Sequence, residues 1–338
     1  MRYSGRLVVG REMEVVEGTL HVENGRVAEI ERHGVDSDDV VVPAFVNAHT
    51  HVGDSLAMEA GRGLSLDEVV APPDGLKHRI LRSASRQDKL RAMKRTVDWM
   101  QRSGVGGFVD FREGGVEGVK LLREAVAGSD VEAFAMGRGP PEVLDVADGY
   151  GASGSRDGEF ADAREEARRR EKPFGIHAGE RDADDVDGAL ALEPDFVVHM
   201  THARESDLEW LEETGTPVVV CPRCNVVTDV GLPPVDALAE RTKVALGTDN
   251  VMLNSPSLWR EMEWTSKLYD VGDAEVLRMA TVHGAEVAGW NDVGFLEEGA
   301  RARLIVLRGD RALSDARDVV AGVVRRAGPS DVREVVLR

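Results

Sequence analysis

Several apolar runs in this sequence end in side chains able to bind a divalent cation or to move a proton. Val41-Val-Pro-Ala-Phe-Val-Asn-Ala leads into His49-Thr-His51. On a β-strand, residues i and i+2 project to the same side, so these two imidazoles can share one cation. Gly175-Ile-His177-Ala-Gly-Glu180 repeats the theme, with a carboxylate three residues past the histidine. Asp195-Phe-Val-Val-His199-Met-Thr-His202 ends in histidine again, and Val244-Ala-Leu-Gly-Thr-Asp249 ends in a carboxylate. Imidazole nitrogens and carboxylate oxygens are the ligand types of Zn²⁺ and Fe²⁺. A carboxyl or imidazole beside such an ion is the usual general acid–base group. A lone His-x-His reads equally well as two polar residues where a strand meets a loop. Four such strand ends in one chain, all of types suited to Zn²⁺ or Fe²⁺, are hard to assign to chance.

Positioning those ends is the task of the surrounding elements. Strand-like segments are expected at 41–47, 106–111, 131–136, 147–152, 173–176, 195–198, 217–220 and 244–246. Helix-like stretches alternate with them at 88–102, 116–127, 159–170, 206–213 and 235–241, followed by 257–269 and 274–288. Eight strands alternating with helices outline an α/β chain closed into a (β/α)8 TIM-like barrel, with a doubly wound open sheet as the competing architecture. Chemistry in a barrel gathers at the C-terminal strand ends, where these residues fall. Both termini are β-like: 6–31, with the Asn24-Gly25 hairpin signal, and 302–307, 319–324 and 332–337. This predicts a small composite β-sandwich-like domain from 1–40 and 295–338 around a barrel at 41–294. Residues 53–80 form the longest irregular connection, placed to act as a lid.

Composition narrows the partners. Formal net charge is −19, and only seven of 42 basic residues are lysines. Such a surface repels nucleic acid and anionic membrane; composition names no substrate, and a small-molecule one is implied only by the family resemblance that the motifs carry. It suits a protein of salt-loving microbes or, alternatively, an acidic protein from a GC-rich genome. No apolar run approaches the ~18 residues of a membrane span. Cys221 and Cys224 are the only cysteines, too few for a disulfide framework. The expected location is cytoplasmic.

The ordered set of motifs resembles the amidohydrolase superfamily over essentially the whole chain. Pro43-Ala-Phe-Val-Asn-Ala-His-Thr-His resembles its first-strand signature, and Leu246-Gly-Thr-Asp249 its eighth. Ala280-Thr-Val-His283-Gly-Ala resembles the following helix, and the stretch from Gly294 to Leu307 the return to the small β region. His177-x-x-Glu180, with His199, is most similar to the deaminase branch, which includes cytosine, guanine and S-adenosylhomocysteine deaminases and the triazine hydrolases. The resemblance implies one divalent ion, zinc or ferrous iron, on His49, His51, His177 and Asp249. It implies that Glu180 passes a proton to the ring nitrogen of an amino-substituted heterocycle (purine, pyrimidine, pterin or triazine-like) and that His199 orients water or substrate. Asp249 doubles as proton acceptor. Assembly as a homo-oligomer is also implied. Binuclear branches use a carboxylated lysine on strand four, where this chain has none; Lys172 precedes strand five.

Other residues carry weaker signals. His202 competes with His199 for the strand-six role. Arg112, Glu113, Arg138, Ser153, Arg223 and Asn254 follow strand ends and are candidate substrate contacts, although loops are commonly polar for solvation alone. Cys221-Pro-Arg-Cys224-Asn departs from the family's Asn-Pro-x-Ser-Asn, and its cysteines read as small buried residues. Two other functions share the pattern: hydrolysis of a cyclic amide, N-acyl or carbon–halogen bond, and a catalytically inactive binding protein on the same barrel.

Overall fold

The computed structural model describes residues 1–70 and 74–338. Three strands open the chain, β1 (Arg2–Val9), β2 (Glu14–Glu23) and β3 (Arg26–Arg32), each antiparallel to the one before. Asn24 and Gly25 hold φ of 50° and 73°, the doubly left-handed turn that an Asn-Gly pair favours. After β4 (Val40–Pro43) come β5 (Phe45–His51), β6 (Val105–Arg112), β7 (Glu132–Gly137), β8 (Gly149–Ala152) and β9 (Phe174–Ala178). The series continues with β10 (Phe196–His199), β11 (Val218–Val220), β12 (Val244–Leu246) and β13 (Asp249–Asn250). β14 (Leu304–Leu307) and β15 (Val332–Val336) end it.

These strands make two sheets. One has six strands in the order β15-β14-β4-β1-β2-β3, so both ends of the chain contribute. The other is parallel, in the order β12-β11-β10-β9-β8-β7-β6-β5-β13. β12 and β13 are two pieces of one run: β12 pairs with β11, and β13 pairs with β5. Between them Gly247 N donates to Val220 O (3.0 Å) and Thr248 N to His49 O (3.0 Å). The sheet therefore curls round onto itself as a TIM-like barrel. β5 and β6 are buried at every position, as strands covered on both faces must be. The helix Arg86–Arg102 shows how the cover forms. Ser85 Oγ accepts from Asp88 N at its start, and Ala92, Met93, Thr96, Val97 and Met100 make its buried stripe.

The structure corrects several expectations. The segment 41–47 is not one barrel strand. Val40–Pro43 lies in the six-stranded sheet, paired with β1 and β14; Pro43 has no N–H to extend the ladder, and Ala44 and Phe45 turn to Arg303 O and Gly104 O. Residues 319–324 form a helix, Val319–Arg325, instead of a strand. Its buried residues Val320, Val323 and Val324 follow helical spacing, and the Asp318 side chain accepts from Ala321 N (3.0 Å). The expected helix 274–288 breaks into Asp273–Met279 and Val282–Val287. At the break, Ala280 O accepts from Val46 N of β5 (2.8 Å) and Thr281 Oγ1 donates to Leu277 O (2.6 Å). Within 53–80, the described residues hold a 3-10 turn, Val52–Ala57, and the helices Leu66–Val70 and Leu76–Ser83 in place of irregular chain; 71–73 lie outside the described residues. Among the described residues no helix is long and apolar enough to cross a membrane.

Candidate active site

The strand ends meet at the C-terminal mouth of the barrel. His49 and His51 stand two residues apart on β5, His177 is on β9, His199 ends β10 and Asp249 begins β13. His49 Nε2 lies 3.2 Å from Asp249 Oδ1 and 3.2 Å from His177 Nε2. His51 Nε2 lies 3.4 Å from the same Asp249 oxygen. Phe111 forms the floor, its ring centroid 4.6 Å from that of His49 and 4.9 Å from that of His177.

Protonation states suit a cation. Burial pushes the His49 imidazole down to about 3, with Asp249 only partly offsetting it. Burial, then His49, holds His177 well below the usual histidine range. Both rings are neutral and offer lone pairs. Burial raises the Asp249 carboxyl, but its hydrogen bond and charge interactions with His49, ahead of those with His199, leave it well below the usual range.

A single proton on His49 Nε2 cannot bond to both Asp249 and His177, yet both approach equally closely. A tetrahedral ion with bonds near 2.1 Å sets neighbouring ligand atoms about 3.4 Å apart. His49, His51 and Asp249 bring ligand atoms within 4.8 Å of one another, and so do His49, His177 and His199, so two overlapping groups that share His49 are spaced to take a divalent ion.

Beside this cluster lies an acid–base pair. Glu180 Oε2 is 3.6 Å from His199 Nε2, and Glu180, His199 and Asp249 each bring an atom within 4.8 Å of the others. Burial raises the Glu180 carboxyl, with His199 acting against it. His199 and Asp249 hold left-handed backbones, φ 80° and 55°. For non-glycine residues this is a strained state, of a kind that clusters at functional sites. His177 Nδ1 is tied to Ala152 O (2.8 Å), which leaves its Nε2 facing His49.

Of the candidate substrate contacts, Arg138 and Ser153 line the cavity above the cluster, together with His78, Arg156, Arg181 and Leu253. Arg112 is buried, pairs with Asp110 and Glu113, and packs against Gly53. Arg223 and Asn254 hold each other (Nη2 to Oδ1, 3.1 Å), and Arg223 also donates to Ser255 O and Ser257 O. That buried arginine clamps the loop after β13. The His202 backbone N donates to Gly179 O (2.9 Å), whereas it is the His199 ring that meets Glu180. Glu113 faces His51 Nδ1 at 3.2 Å.

Sequence reasoning missed Asn225, whose Nδ2 is 3.3 Å from His199 Nδ1. Its signal was the Cys-Pro-Arg-Cys-Asn stretch itself. Cys224 of the same stretch lines the cavity, and both cysteines are buried.

A parallel barrel with imidazoles and carboxylates at its strand ends is the architecture of a hydrolase class, and comparison with known proteins identifies the class. The chain belongs to the amidohydrolase family, whose model matches residues 40–328. An uncharacterized protein of Methanocaldococcus jannaschii is 34% identical over 97% of this chain and 95% of its own length. A 5'-deoxyadenosine deaminase of Methanosarcina mazei is 27% identical over 96% of this chain and 87% of its own. Among solved structures, an adenosine deaminase from Xanthomonas campestris with bound zinc superposes with a TM-score of 0.84 at 19% identity, covering 98% of this chain and 90% of that one.

Proposed function

We propose that this chain is a metal-dependent hydrolytic deaminase that converts the amine of an amino-substituted heterocycle to a carbonyl and releases ammonia. The observation that carries the reading is Glu180 set against His199 and Asp249 on the open side of the His49–His51–His177–Asp249 cluster. The deaminase names of the more distant relatives support it.

One divalent ion, zinc or ferrous iron, would be held by His49, His51, His177 and Asp249 and would supply the Lewis acidity that makes water a nucleophile near neutral pH. Asp249 takes a proton from the attacking water. Glu180, its carboxyl raised by burial, carries a proton to the ring nitrogen, so the ring gains no net negative charge as the carbon–oxygen bond forms. His199 Nε2–H orients the oxygen. Asp249 then gives its proton to the amine, the hydroxyl proton returns to Glu180, the carbon–nitrogen bond breaks, and ammonia leaves while the ring keeps the oxygen as a carbonyl.

The test is ammonia release from a panel of adenosine-type nucleosides, cytosine, guanine, aminopterins and aminotriazines, using protein loaded with zinc or ferrous iron in high salt. Ammonia from one ring class bears the reading out. Metal-replete protein silent across the panel but active on cyclic amides or N-acyl compounds would overturn it.

A further inference from the structure

The helix Leu76–Ser83 buries one residue, and that residue is a lysine. Lys77 is 3% exposed, a placement that is costly for an ammonium unless acids meet it. Two do. Its Nζ lies 2.9 Å from Glu113 Oε1 and 3.2 Å from Asp54 Oδ2. Glu113 follows β6 directly, and Asp54 sits in the 3-10 turn after β5. Glu113 gathers two further donors, Arg138 Nη1 at 3.0 Å on Oε1 and Arg112 Nη2 at 2.8 Å on Oε2, and its Oε1 also lies 3.2 Å from His51 Nδ1, close enough for a charge contact but without hydrogen-bond alignment. Asp110 completes the group, bonded to Arg112 and to the backbone N of Val52. Three acids (Asp54, Asp110, Glu113) face three cations (Lys77, Arg112, Arg138), so the buried network is charge-balanced with Glu113 ionised.

The network touches the metal cluster at one point, His51 Nδ1. A carboxylate 3.2 Å away favours the proton on Nδ1 over Nε2, which leaves the Nε2 lone pair on the side of Asp249. The other ring nitrogens of metal-binding histidines are commonly fixed in this way, and loss of such a partner costs about 10–100-fold in metal affinity. His177 obtains the same result from Ala152 O, 2.8 Å from its Nδ1.

We propose that Glu113 is a positioning residue for His51 and that Lys77 holds Glu113 in place, so that docking of the helix Leu76–Ser83 tightens the metal site. The proposal rests on the metal-site reading above, and its test separates the two. The dissociation constant for Zn²⁺ is measured by competition with a chromophoric chelator for the full-length parent, E113A, E113Q, K77M, K77R and the E113A/K77M double variant. The visible spectrum of the Co²⁺ form is recorded alongside.

The parent binds one ion. E113A and K77M each bind it about 10–100-fold more weakly, K77R stays within threefold of the parent, and K77M adds less than twofold on the E113A background. E113Q keeps the shape of the side chain but not its charge; it weakens binding and shifts the Co²⁺ bands. Should K77M or E113A fail to fold, E113Q and K77R carry the comparison. An E113Q protein within twofold of the parent, with an unshifted Co²⁺ spectrum, overturns the role of Glu113. Equal effects of K77M with and without Glu113 overturn the role of Lys77. A parent that binds no divalent ion overturns the metal-site reading, and this inference with it.

Discussion

Asn225 Nδ2 lies 3.3 Å from His199 Nδ1, on the side of the ring away from Glu180. With the amide nitrogen as donor, Nδ1 is the accepting lone pair and the imidazole proton sits on Nε2, facing the cavity. Asn225→Ala frees the ring to take the other tautomer and to rotate. The expected outcome is a fall in kcat of about 10–100-fold with metal content unchanged. Steady-state kinetics alongside metal analysis check this, and normal kcat would remove Asn225 from the site.

Glu180 approaches the cluster through Asp249, within 4.8 Å, and its ion pair is with His199, so its loss is expected to leave the cluster in place. Glu180→Gln is expected to lower turnover by at least ~10²-fold, the low end of general acid–base catalysis, while bound metal stays near one equivalent. Wild-type turnover in this variant would exclude Glu180 as the proton carrier.

Gly247 bridges β12 and β13 where no side chain fits. A β-carbon there would sit 2.6 Å from His49 Cβ and 3.0 Å from Cys221 Sγ. Gly247→Ala therefore pushes the first ligand strand away from the eighth. A stability loss of about 1–3 kcal/mol is expected from the overpacking, together with weaker metal retention. Thermal unfolding and metal analysis test this; an unchanged Tm with full metal content would contradict it.

Glu261, on the helix Leu258–Leu268, has both carboxyl oxygens buried without a hydrogen-bond partner. Burial pushes its carboxyl up to about 8, against the pull of Arg223. The unfolded chain loses this proton near pH 4.3, whereas the folded chain keeps it until about pH 8. Between those values the folded state binds more protons, so this group makes stability fall as pH rises. Glu261→Gln removes the dependence. The variant is expected to melt above the parent at pH 7–8, with the gap closing toward pH 4. A gap that is absent at pH 8, or constant with pH, would refute the assignment.

The cluster of imidazoles and carboxylate at the barrel mouth was legible in the sequence because strand geometry and donor type coincide. His49-x-His51 on an apolar run, and His177, His199 and Asp249 at later run ends, each combine a period-two pattern with a metal-binding side chain. Lys77 gave no such signal, since a lysine in a polar helix reads as a solvated face and its burial depends on Glu113 and Asp54 arriving from other strands. Arg112, Arg223 and Asn254 were visible as polar residues after strands, but their partners (Asp110, Glu261, Ser257) are tertiary facts. Val319–Arg325 was misread because β-branched valines favour strands, while their buried spacing was helical. The unity of 41–47 failed at Pro43, whose missing donor divides the run between two sheets.

That division also orders events during synthesis. β4 leads within six residues to His49, yet its partner β14 emerges only at Leu304–Leu307. The β5 edge is covered only when Asp249–Asn250 has emerged. A growing chain therefore exposes His49 and His51 long before Asp249 emerges, and any ion shared by these three side chains is expected to be bound only after the sheet has closed.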